Sequence, residues 1–228
     1  MCKGVVSGRV TFSTDTGVDN VRISLKSNDE GLDGQLQNYS KHIETETSGI
    51  CWTDNTKTIS KLVNSKDPIT IQLWVMNESD AATVPLVTLP GMGTVSAPVE
   101  KNQWEHVSIL VKDAMATVII NADSTRTVTQ RLRQDEVTTD SATVSFGAGQ
   151  FRGYLKDIRI WEGLLSMSDI QSNHGRILNG RETGLKLYWP LDEGLQEVAF
   201  DVSTTNAIGN NRHAILDPAI SNSTILPS

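Results

Sequence analysis

An all-β, antiparallel β-sandwich with one short helix is the fold class the sequence predicts, and three observations predict it. Thr, Val and Ile recur in short runs where apolar and polar residues alternate, and Gly, Asn, Asp and Pro break those runs at intervals of about a strand and a turn. Only one segment carries helix-like spacing. The chain has 228 residues, enough to bury a full core in one large sandwich or two small domains.

The elements follow in order. Gly8 to Phe12 reads as a strand, Asp15-Thr16-Gly17 as a turn, and Val21 to Leu25 as a second strand. Ile69 to Met76 alternates Ile69, Ile71, Leu73 and Val75 against Thr70, Gln72 and Trp74. One face looks into a core, and Trp74 on the other implies that this side is also covered or binds something. Pro85 to Leu89 is a short strand ended by Pro90-Gly91. Trp104 to Val111 and Ala116 to Asn121 form a hairpin with Lys112-Asp113 as the connection. Ala142 to Gly147, Phe151 to Trp161 and Leu185 to Leu191 are the remaining strands. Pro190 belongs at an edge or strand end, because proline donates nothing to the ladder. Ser166 followed by Asp169 is a shortened N-terminal capping pattern, and Ile170, His174, Ile177 and Leu178 continue at helical spacing, so one or two turns are expected there.

Composition narrows the function classes. Hydrophobic residues make up 38% and charged residues 21%, as in ordinary globular proteins. A net charge of -7 argues against a nucleic-acid partner, whose phosphates select a basic patch. No apolar stretch is long enough for membrane insertion. Cys2 and Cys51 do not make a disulfide framework, although the two could pair; Cys51 beside Trp52 reads as a small buried hydrophobe. Only Met1 precedes Cys2, so it is not read as a lipid-anchor cysteine.

Catalytic patterns are missing from the sequence. Asp192, Glu193 and Glu197 fall in a turn, and Arg133 to Glu136 is a solvated polar run, so neither supplies the paired strand carboxylates of a glycosidase. No nucleophile–histidine–acid order, no HExxH and no glycine-rich phosphate loop appears. His42, His106, His174 and His213 share no metal-ligand spacing; His106 is expected to face outward or cap a carbonyl. Asp157 and Arg159 share a strand face, as do Leu155 and Trp161, and the charged pair reads as a half-exposed structural bridge.

Several segments carry a resemblance. Phe151-Arg-Gly-Tyr-Leu-Lys-Asp-Ile-Arg-Ile-Trp161 with Leu164, Leu165, Ser166 and Ile170, then Trp104-Glu-His-Val107, then Gly184-Leu-Lys-Leu-Tyr-Trp-Pro-Leu-Asp-Glu-Gly194 with Phe200-Asp-Val-Ser203 and Asn211-Arg-His-Ala214, are similar to the laminin-G-like/pentraxin superfamily of concanavalin A-like jelly rolls. Val6 to Phe12 with Val21 to Ser24 resembles a carboxypeptidase-regulatory-like module, which precedes such domains in large Bacteroidetes-type surface proteins. The resemblance implies residues 1–28 as N-terminal strands belonging to a flanking Ig-like module or to the sandwich edge. Residues 29–217 form the jelly-roll domain, and 218–228 a C-terminal tail or linker. It implies an exported chain at the cell surface and a non-catalytic binding or adhesion module for a glycan or a surface protein. A structural spacer is the alternative, and a glycoside hydrolase of the same fold the remoter one.

Candidate ligand residues come from chemistry. A pyranose stacks on an aromatic ring and needs polar partners for its hydroxyls, which nominates Trp52 with Asp54 and Asn55, and Trp74. Trp104, Trp161 and Trp189 are expected in the core. Calcium, which many relatives hold, needs hard oxygen ligands. The pentraxin position is reduced here to Gly147-Ala148-Gly149-Gln150, without a carboxylate, which leaves Asp201, Ser203, Asn206 and Asn211 as the candidate calcium loop. The alternative for that loop is a set of Asx and Ser/Thr turns.

Overall fold

The computed structural model describes residues 40–43, 50–54, 67–133, 135, 142–147, 151–192, 198–203, 214–216 and 220–223. The strands expected at Gly8–Phe12 and Val21–Leu25 lie outside these residues. In chain order the strands are β1 (Ser40–Ile43), β2 (Ile50–Asp54), β3 (Ile69–Asn77), β4 (Val84–Leu89), β5 (Gly93–Ala97), β6 (Trp104–Lys112) and β7 (Met115–Ile120). Then come β8 (Asp123–Arg131), β9 (Ala142–Phe146), β10 (Gly153–Glu162), β11 (Leu185–Trp189), β12 (Val198–Ala199), β13 (Ala214–Leu216) and β14 (Ile220–Ser223). The helix α1 (Met167–His174) sits between β10 and β11.

Two antiparallel sheets face each other as a jelly-roll sandwich. The eight-stranded sheet runs β14-β1-β10-β3-β6-β7-β8, with β11 also paired to β10, and the six-stranded sheet runs β12-β13-β2-β9-β4-β5. Alternation fills the space between them: Ile71, Leu73, Val75, Val107, Ile109, Leu155, Ile158 and Ile160 from one sheet meet Ile50, Leu86, Val95, Val144 and Phe146 from the other. Trp189, fully buried, packs edge-on against Phe146 at 5.8 Å, so this tryptophan lies in the core as expected.

Local chemistry sets the connections. The β6–β7 hairpin turns on Asp113 and Ala114, both at positive φ, one residue beyond the expected Lys112-Asp113. Lys112 pairs directly with Met115, which fixes a two-residue turn whose twist matches the strands. Ser166 caps α1 through a reciprocal box: its Oγ accepts from Asp169 N–H and its own N–H donates to Asp169 Oδ2. Pro190 follows the last residue of β11.

β10 organises the larger sheet. It pairs with β3 along one side, and on the other with β1 first and then β11. The handover falls at Asp157, which takes φ +58° while the register against β3 shifts between Lys156 and Arg159. This bulge corrects the expected alternation. Leu155 faces the main core, whereas Trp161 emerges on the opposite face in a second buried cluster with Leu178, Leu185 and Tyr188. At the far edge, β14 pairs with β1 over Ile220–Ser223, so these described residues of the 218–228 segment are part of the sheet.

Candidate functional site

The outer face of the eight-stranded sheet, turned away from the main core, carries the polar and aromatic residues that alternate with the core set. Register lays them in rows. His42, Tyr154, Met76 and Trp104 stand opposite one another across β1, β10, β3 and β6. Lys156, Trp74 and His106 form the next row, and Arg159, Gln72 and Ser108 the one after.

The third row is closed. Gln72 Nε2 donates to Ser108 Oγ at 3.1 Å, and Trp161 Nε1 donates to Gln72 Oε1 at 3.0 Å. Arg159 is fully buried, which corrects the half-exposed reading of its pair. Its Nε and Nη2 donate to the two Asp157 carboxylate oxygens at 2.7 and 2.6 Å, and Nη1 and Nη2 donate to the carbonyls of Asn173 and Arg176 at 2.8 and 2.7 Å. The guanidinium thus pins the end of α1 and the chain after it to the sheet. Burial and the Asp157 carboxylate push the Tyr188 phenol far above its ordinary value, while the Arg159 guanidinium, 5.8 Å from its ring centre, pulls the other way.

The first two rows form an aromatic field at the end of this cover. His42 stacks on Tyr154 at 4.3 Å, and Trp104 lies 6.2 Å from the same ring. Trp74 meets His106 at 5.3 Å and His174 of α1 at 5.1 Å, and the two imidazoles are themselves 5.1 Å apart. Trp74, Trp104, His42 and His174 are half-buried. His106 is fully buried beneath α1, neither facing solvent nor capping a carbonyl as expected. Burial holds it well below the ordinary imidazole value, and the charge of Arg159 and His174 adds to this; burial and Arg159 lower His174 too. Both rings are therefore neutral near pH 7. Charge gathers at the rim, where His42 Nε2 meets Glu78 Oε2 at 2.9 Å and Arg152 approaches the same oxygen at 3.6 Å.

The field also holds unpaired polar atoms. Among the described residues, Trp104 Nε1, His106 Nδ1, His106 Nε2 and His174 Nε2 are buried and have no hydrogen-bond partner; Glu182 Oε2 is the other such atom. Buried polar groups are ordinarily paired, so this concentration on one patch is unusual.

The predicted ligand residues are not brought together. Trp52 and Asp54 lie on β2 of the six-stranded sheet, Trp52 opposite Val144, whereas Trp74 lies on β3 of the other sheet. Trp52 is thus in a regular strand; Asn55 lies outside the described residues. Trp161 and Trp104, expected in the core, belong to the outer face. Asp201 Oδ1 accepts from the N–H groups of Tyr188 and Ser203 at 3.0 and 2.9 Å, and Ser203 Oγ donates to Asp201 Oδ2 at 3.1 Å. These two close an Asx turn onto β11 with their own oxygens; Asn206 and Asn211 lie outside the described residues. No group of three or more metal-ligating side chains occurs among the described residues.

Two buried carboxylates have all their described partners within the chain. Glu105 accepts from Glu100 N–H, Asn121 Nδ2 and Arg126, and Asp201 holds the turn just described. No helix among the described residues is long and apolar enough to cross a membrane.

No family model matches the chain, and no curated protein matches it. Solved structures do. A candidate carbohydrate-binding protein from Bacteroides ovatus ATCC 8483 is similar over 82% of this chain, with a TM-score of 0.56 at 14% identity, and the chain spans 60% of that protein's length. The CBM40 of a Ruminococcus gnavus IT-sialidase, solved with α2,3-sialyllactose, matches 59% of this chain and 98% of its own at 13% identity and a TM-score of 0.40. A pentraxin from Limulus polyphemus matches 62% of this chain and 83% of its own at 11% identity and a TM-score of 0.39. At these identities the likeness is one of fold, and it identifies the chain as a β-sandwich of the jelly-roll type.

Proposed function

We propose that the chain is a non-catalytic carbohydrate-binding module and that the sugar lies on the outer face of the eight-stranded sheet, over Trp74 and Trp104. The observation that carries this is the pair of half-buried indoles, Trp74 and Trp104, on adjacent rows of the outer face. A sugar presents hydroxyls that both donate and accept. Its ring face stacks on an aromatic plane. Glu78, Arg152 and His42 at the rim add planar polar groups for further hydroxyls. The Bacteroides ovatus neighbour, named for carbohydrate binding, supports the reading.

Among the described residues, the buried carboxylates Glu105 and Asp201 are engaged by the chain's own donors, which supports binding over hydrolysis. The resemblance of residues 6–24 to a carboxypeptidase-regulatory-like opening supports an exported setting at the cell surface.

A glycan array tests the proposal. The chain is expected to retain a defined set of oligosaccharides, and Trp74→Ala to weaken retention by about tenfold or more, equivalent to about 1.4 kcal/mol. Retention unchanged in both Trp74→Ala and Trp104→Ala moves the ligand elsewhere. A chain that retains no glycan overturns the carbohydrate reading and leaves a surface-protein partner or a structural spacer.

A further inference from the structure

Beside the Arg159 clamp, the last residue of α1 meets the sheet through two imidazoles, of which both His106 nitrogens and His174 Nε2 have no hydrogen-bond partner. His106 stands on β6 at the centre of the outer face, fully buried, with neither ring nitrogen paired. His174, the last residue of α1, lies over it at 5.1 Å, and both rings contact Trp74. We propose that His106 and His174 form an acid-sensitive latch that holds the last turn of α1 over Trp74 when neutral and releases it when protonated.

The surroundings give protonation no counter-ion. From β10, Arg159 faces the pair as a cation already committed to Asp157, and Lys156 lies beyond Trp74 in the same row. From β3, Gln72 and Trp74 bring no charge. At the end of β7, Asn121 exchanges hydrogen bonds with the His106 backbone and brings no charge. Glu105 neighbours His106 in sequence, but it accepts from Glu100 N–H, Asn121 and Arg126. A proton on His106 would therefore create a buried charge with two unmet donors, facing Arg159 and a second imidazole.

The direction follows from linkage. Both imidazoles sit below the ordinary value of 6.5 in the latched state. The released state binds more protons, so the bias toward release grows as pH falls below 6.5 and levels off once pH passes the lowered values. Arg159 opposes it by gripping the carbonyls of Asn173 and Arg176, both within the segment that moves, so protonation must outweigh that grip. Release uncovers the part of Trp74 that α1 covers and so widens the half-exposed surface assigned above to sugar; the dependence on pH itself does not rest on that assignment.

Hydrogen exchange without any glycan, corrected for intrinsic rates, provides the test. Between pH 7.5 and 5, amides of residues 170–178 are expected to lose protection at least tenfold more than those of β3 and β6. His106→Phe, which keeps a ring and removes the titration, and His174→Gln, at a half-exposed position, are each expected to flatten that profile. Should His106→Phe fail to fold, His174→Gln carries the comparison. A wild-type profile flat across this range overturns the latch, and so does an unchanged pH profile in His174→Gln. Neither result bears on glycan retention, which is measured separately at neutral pH.

Discussion

Gly153 and Trp161 carry consequences out of proportion to their size. Gly153 takes φ +148°, and a Cβ there would fall 2.0 Å from the Met76 carbonyl oxygen on β3. The close approach is at this glycine, and the bulge lies four residues on at Asp157. Gly153→Ala is therefore expected to lower stability by at least about 2 kcal/mol, read as a fall in the denaturant midpoint with the m-value unchanged. Trp161→Phe keeps the ring in its cluster but leaves Gln72 Oε1 without its donor. It should cost about 1–3 kcal/mol, whereas a merely apolar role would make the exchange nearly neutral. Trp74 was legible as a residue whose face must be covered or must bind, because it alternates with Ile71, Leu73 and Val75 on one strand. His106 was not, since nothing in Trp104-Glu-His-Val107 shows that a helix from the far end of the chain will bury it.

At the scale of elements, α1 shows two kinds of support. Its start was readable from Ser166 and Asp169, because capping is a local hydrogen-bond exchange between residues three apart. Its docking depends on Arg159, whose grip on Asn173 and Arg176 exists only once β10 has bulged at Asp157. Ser166→Ala is expected to cost about 1 kcal/mol. Arg159→Met leaves the Asp157 carboxylate and two carbonyls without their donor and should cost about 3–5 kcal/mol. Thermal melting of the two variants ranks them, and a larger effect of Ser166→Ala would place the support of α1 in its cap. The strands that alternate cleanly, β3, β6 and β7, were legible at nearly their full length, and so was β10 despite its bulge. β8 was not, since Asp123–Arg131 is exposed along most of its length and shows no apolar stripe. β1, β5 and β12 to β14 are too short to show a period.

For the whole molecule, the sandwich should melt alike with calcium and with chelator, because Asp201 and Ser203 already satisfy each other. A rise of several degrees with calcium, following mass action on the native state, would assign it a bound ion. By itself the sequence determined the all-β class, the hairpin of β6 and β7, the start of α1 and the absence of catalytic patterns. Those features follow from alternation, turn residues and capping, which act over a few neighbouring positions. Only the tertiary structure decided that Trp52 and Trp74 belong to different sheets, that the Asp157 bulge sends Trp161 to the opposite face from Leu155, and that His106 and His174 meet. Each of these depends on register and on pairings between residues far apart in the chain. A single-residue shift in register exchanges the two faces of a strand, and the local pattern does not record it.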